Sequence, residues 1–105
     1  MTITDGATIK LSSLSTKRLT IKANVSTDNG VESVRFNMSG AQRRNSNDNK
    51  FPYVLFGDNG SGNLYYGNWN PPATGKYTIT ATPYSQNDAN GTAGTAKTIT
   101  FTIVR

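Results

Sequence analysis

The chain has 105 residues, no cysteine and no histidine, a hydrophobic share of 34%, and a net charge of +5 with a sequence pI near 9.8. That length holds one domain with one modest core, so residues 1–105 are read as a single domain. The missing residue types exclude disulfides, thiolate metal sites, thiol nucleophiles and imidazole acid–base chemistry, and no apolar run approaches the roughly 20 residues of a membrane helix, so membrane insertion is not expected.

In chain order, a short strand is expected at 8–11. Leu19, Ile21, Ala23 and Val25 then alternate with Thr20, Lys22 and Asn24, and the turn signal Asp28-Asn29-Gly30 precedes Val34, Phe36 and Met38. This reads as two strands joined by a short connection. Weaker strand signals follow at 42–46, 53–56 and 64–69. The clearest come last: Tyr77, Ile79 and Ala81 alternate with Thr78, Thr80 and Thr82, and Ile99, Phe101 and Ile103 with Thr98, Thr100 and Thr102. Each of these is a half-buried strand with a threonine face outward. Three polar stretches, 43–50, 57–63 and 85–95, are expected to be loops. No segment carries apolar residues at helical spacing. About seven short strands with Gly, Asn and Pro punctuation give an all-β, two-sheet antiparallel sandwich of Greek-key type, with a closed barrel as the alternative.

The motifs Phe51-Pro52-Tyr53, Leu55-Phe56-Gly57-Asp58, Asn68-Trp69-Asn70-Pro71-Pro72, Tyr77-Thr78-Ile79-Thr80-Ala81-Thr82-Pro83-Tyr84 and Gly91-Thr92-Ala93-Gly94-Thr95-Ala96 carry a resemblance. From about residue 31 onward the chain resembles bacterial immunoglobulin-like accessory modules, of Ig-like, fibronectin III-like or PKD-like type. Such modules are appended to large secreted or cell-surface proteins, including carbohydrate-active enzymes and adhesins. The resemblance implies an immunoglobulin-like β-sandwich, an extracellular setting, and no catalytic residues. It also implies that Trp69 and Tyr77 serve as core or corner residues. If such a parent is exported, its signal is expected to lie outside this sequence, since Met1 is followed by neither a charged n-region nor an apolar h-region.

Without His or Cys, the remaining enzymatic option is a carboxylate pair drawn from Asp5, Asp28, Glu32, Asp48, Asp58 and Asp88. Most of these sit in Asn- and Gly-rich segments where aspartate caps turns, so no catalysis is expected. The run Asp58-Asn59-Gly60-Ser61-Gly62-Asn63 offers hard oxygen ligands, with Asp58, Asn59 and Asn63 the candidates for calcium. Asp48 or Asp88 would be the second acid. No other cofactor is expected.

A sugar-binding module lays flat aromatic rings against pyranose faces and reaches hydroxyls with amide and charged side chains. The candidates are Tyr53, Tyr65, Tyr66 and Tyr84 with Asn63 and Asn68, and Arg43 and Arg44 are alternative polar anchors. The bland alternative puts Trp69 and Tyr77 in the core with Phe36, Ile79, Phe101 and Ile21, leaving Tyr65 or Tyr66 as an ordinary surface tyrosine. The eleven basic residues are scattered, with only Lys17-Arg18 and Arg43-Arg44 adjacent, so no nucleic-acid partner is expected. Ice binding by the threonine rows and a Lys–Asn crosslink rank lower still. The sequence therefore reads as a monomeric, extracellular, non-catalytic accessory module. Its partners would be a polysaccharide or cell-surface glycan and the neighbouring domains of its parent, and the alternative role is a passive spacer.

Overall fold

A computed structural model describes residues 3–16, 18–24, 30–61 and 63–105. Eight strands are formed among them: β1 (Ala7–Lys10), β2 (Lys22–Ala23), β3 (Ser33–Gly40), β4 (Arg44–Asp48), β5 (Tyr53–Val54), β6 (Gly75–Gln86), β7 (Asn90–Ala93) and β8 (Lys97–Val104). Single 3-10 turns occupy Leu11–Ser13 and Asn87–Ala89.

The large sheet runs β1-β8-β6-β3-β4, with β7 also on β6, and the small sheet is the antiparallel pair β2-β5. Chain order thus crosses between sheets repeatedly, as the expected immunoglobulin-like sandwich requires. All neighbours in the large sheet are antiparallel except β1 and β8, which are parallel, with Ala7 opposite Phe101 and Lys10 opposite Val104.

Period-two alternation explains the packing. Val34, Phe36 and Met38 of β3, Tyr77 and Ile79 of β6, and Phe101 and Ile103 of β8 all turn inward and are buried. Trp69, also buried, is the hub: its ring lies edge-on to Phe56, Tyr77 and Phe101 at centroid distances of 5.7, 5.5 and 6.5 Å. Tyr77 and Phe101, direct partners across β6 and β8, stack at 5.2 Å. Burying each such ring contributes on the order of 2–3 kcal/mol. The Tyr77 hydroxyl donates to the Ala73 carbonyl at 2.6 Å and lies 2.9 Å from Gln42 Oε1, which also accepts from the Ala73 N–H at 3.1 Å. This is the tyrosine-corner arrangement, and it puts Trp69 and Tyr77 in the core and corner positions that the resemblance implied.

Several expectations need correction. The segments around Ile21 and Phe36 do not form a hairpin, because β4 and β6 occupy both edges of β3 and β2 pairs with β5 instead. Val25 and the Asp28-Asn29 half of the expected turn lie outside the described residues. Residues 64–69 are not a strand: Leu64 makes one bridge to Asp58, and Gly67 has φ 56° with the Phe56 ring packed where a Cβ would stand. The stretch 85–95, expected as a loop, contains the end of β6 and all of β7. Tyr84 faces Ala93 and Gln86 faces Asn90 across a bulged register, so β7 and β8 form an interrupted partner for one long strand.

The outer threonines behave as expected: all six share the face opposite the buried residues of β6 and β8. Thr78 meets Thr100 and Thr80 meets Thr98, with hydroxyl oxygens 3.3 and 2.8 Å apart. Thr82 instead faces Arg35, and Thr102 faces Lys76.

Candidate functional site

The turn from Asp58 to Leu64 gathers many of the polar candidates. Its ends are bridged, and the Asn59 N–H donates to the Asn63 carbonyl at 3.0 Å. Asn59 Oδ1 accepts from the N–H groups of Ser61 and Asn63 at 2.8 and 3.2 Å, and Asp58 Oδ2 accepts from Gly60 N–H at 3.3 Å. These are the self-contained bonds of an Asx turn. A calcium ion bound through Asp58, Asn59 and Asn63 would draw on one carboxylate and compete with these contacts. Gly62 lies outside the described residues. Among the described residues no three His, Cys, Asp or Glu side chains gather in a group able to hold a metal.

Tyr65 follows this turn, its N–H donating to the Gly57 carbonyl at 2.9 Å, and its side chain is 51% exposed. Tyr66 is half-buried with the Arg18 guanidinium 5.6 Å above its ring. Asn63 and Asn68 are both exposed. The structure therefore keeps Tyr65, Tyr66, Asn63 and Asn68 along one stretch of surface chain.

The other aromatic candidates do not join them. Tyr53 is only 4% exposed and its hydroxyl donates to the Val31 carbonyl at 3.1 Å, so its ring is a core element and is unavailable for stacking. Tyr84 is half-buried on β6, seven residues beyond Tyr77, about 23 Å along the strand. Phe56 and Trp69, which flank the Tyr65 segment in sequence, pack together, and Trp69 packs on Tyr77 near the start of β6. Arg44 is committed to the segment that follows β5: its Nε donates to the Leu55 carbonyl at 3.0 Å and its guanidinium lies 4.7 Å over Phe56. The aromatic that sequence reading passed over is Phe51, 59% exposed at the start of the PY motif. Its position in an Asn-rich stretch, outside any alternating run, was the available signal.

The family model for the bacterial Ig domain matches residues 2–81. The chain belongs to the bacterial Ig domain family. No curated protein and no solved structure matches it. Bacterial Ig domains are in general non-catalytic accessory modules, typically extracellular or on the cell surface. No helix among the described residues is long and apolar enough to cross a membrane.

Among the described acids of this Ig domain, Asp5, Asp48 and Asp58 accept from backbone N–H groups and Asp88 from a side chain. Asp5 accepts from Thr100 N–H at 2.7 Å, Asp48 from the N–H groups of Lys50 and Val54 at 3.2 and 2.9 Å, and Asp88 from Asn49 Nδ2 at 2.8 Å. Asp28 lies outside the described residues.

Proposed function

We propose that this bacterial Ig domain serves as a load-bearing spacer within a larger secreted or surface protein, holding neighbouring domains apart. The observation that carries this reading is the parallel pairing of β1 with β8. Gly6 N–H donates to the Thr100 carbonyl, so the chain comes in beside the first half of β8, while Val104 ends beside Lys10 at the other extremity. The first and last described residues thus lie at opposite ends of β8, in a body whose longest extent is 40 Å. Tension between the two ends runs along the strands and loads all four β1–β8 residue pairs together in shear. The dispersal of Tyr53, Tyr65 and Tyr84 supports the same reading, because it leaves no continuous ring platform.

Single-molecule stretching of a tandem array of this domain tests it. A force barrier that drops sharply in Thr8→Pro, which removes a β1 backbone donor, supports the clamp. Equal unfolding forces in the two proteins would sink it.

A second reading, glycan or surface binding in an adhesive role, rests on Tyr65 standing half-exposed beside Asn63. Two-dimensional NMR titration with soluble polysaccharides separates the two. Saturable shifts at Tyr65, Tyr66, Asn63 and Asn68 support a sugar-binding module, and a flat response supports the spacer alone.

A further inference from the structure

Among the described residues the sandwich is open beside β2. A groove of about 790 Å³ lies between the sheets there, a size suited to small organic ligands. Its floor is the fully buried pair Val34 and Phe36, and its walls include Ile21, Ala23, Ala81 and Ile99, all left half-buried. Among the described residues the small sheet pairs two residues from each strand, Lys22 and Ala23 with Val54 and Tyr53, and these leave part of the inner face of β6 and β8 uncovered.

Two features give the groove polar character of one sign. Among the described residues its charged lining residues are Lys22 and Lys97, with no acid beside them. Strand alternation turns Lys97 to the same inward side as Ile99 and Phe101, although a lysine there gains nothing from the core. The lining also contains Thr20, whose Oγ1 is buried without a hydrogen-bond partner among the described residues. Buried hydroxyls are almost always satisfied, so an orphan in a groove calls for a ligand atom.

We infer that this groove binds a single-chain amphiphile with an anionic head, of the fatty-acid carboxylate class. The acyl chain lies along Ile21, Ala81 and Ile99. Lys97 supplies the cation for the head, and Thr20 offers a hydroxyl donor within the same lining. The ligand is a monomer taken from solution, not a bilayer surface, because the apolar surface is recessed between two sheets.

The test is NMR of the whole domain titrated with sodium dodecanoate below its micelle concentration, with dodecyltrimethylammonium and phosphatidylglycerol vesicles as parallel arms. Expected are saturable methyl shifts at Ile21, Ala23, Ala81 and Ile99 with dodecanoate, weakened roughly tenfold in Lys97→Glu and abolished in Ala81→Trp, which fills the groove. Lys97 is exposed, so Lys97→Glu reports even where Ala81→Trp fails to fold. Absent or non-saturating shifts would overturn the inference. So would equal binding of the cationic amphiphile, or binding only to vesicles. Concentration-dependent dimerisation that protects the same methyls without ligand would assign the groove to a second copy of the chain and overturn it too.

Discussion

Asn49 and Asp88, 39 residues apart in sequence, exchange two hydrogen bonds: Asn49 Nδ2 donates to Asp88 Oδ1, and the Asp88 N–H donates to Asn49 Oδ1, both at 2.8 Å. Beside them Ser33, fully buried, donates to the Gln86 carbonyl at 2.6 Å and accepts from Ala89 N–H at 3.1 Å. Three side chains thereby pin the tip of the β6–β7 hairpin against the start of β3 and the segment leading to β5.

Asn49→Ala should lower stability by about 1 kcal/mol and speed hydrogen exchange at the Asp88 and Ala89 amides, while Asp88→Asn, which keeps the acceptor, should be near neutral. Urea denaturation and exchange NMR measure both. Fast exchange at the tip in the unaltered protein would show that the pin does not hold.

Gly40 and Gly30 make a controlled comparison. Both have positive φ, 113° and 70°, but a Cβ at Gly40 lands on the Lys76 carbonyl whereas one at Gly30 meets nothing among the described residues. Gly40→Ala should cost ~3–5 kcal/mol, because β3 and β6 must move apart. Gly30→Ala should cost only the ~1 kcal/mol of a left-handed backbone. Similar losses in thermal melts would remove the steric argument.

Tyr77→Phe keeps the stack on Phe101 but removes the donor to Ala73, and should cost about 1–2 kcal/mol. A loss much nearer that of a deleted ring would mean that the phenylalanine does not retain the stack.

Stability should also fall in alkali. Burial pushes the hydroxyls of both Tyr53 and Tyr77 above the ordinary 10.0, and at Tyr53 the Asp48 and Glu32 carboxylates add to the effect. The folded protein holds these protons more tightly than the unfolded chain does. The stabilisation is therefore complete below the unfolded value and is lost as pH rises through the folded ones. Denaturation at about pH 8 and about pH 11 should show the decline, and a double Tyr53→Phe, Tyr77→Phe variant should show a shallower one.

What could be read from the sequence was whatever depends on period two. The Tyr77, Ile79, Ala81 and Ile99, Phe101, Ile103 rows announced both strands and the face each buries, and the core around Trp69 followed from its size. Partner choice was not legible, since the short connection before Val34 suits a hairpin equally well and only the occupied edges of β3 exclude it. Gly67 carries no local mark of the Phe56 ring that needs its missing Cβ. The residues from Asn90 to Ala93 look like a loop because their strand character comes from pairing with β6. Among the site candidates, Tyr53 and Tyr65 stand equally close to turn residues in sequence, and what separates them is burial by distant strands. The groove draws on residues from β2, β3, β6 and β8, none remarkable in its own strand.

The parallel pairing of β1 with β8 also sets the order in which the domain is completed. Asp5 and Thr100, joined at 2.7 Å, are 95 residues apart. Contacts of that separation form late, after the closure entropy of nearly the whole chain has been overcome. On the ribosome, β3, β4 and β6 can assemble while β8 is still in the exit tunnel, but β1 has no partner until β8 emerges. The inner face bearing Tyr77 and Ile79 stays uncovered along that edge for the same interval, so synthesis leaves an aggregation-prone intermediate whose lifetime is set by translation of the final strand.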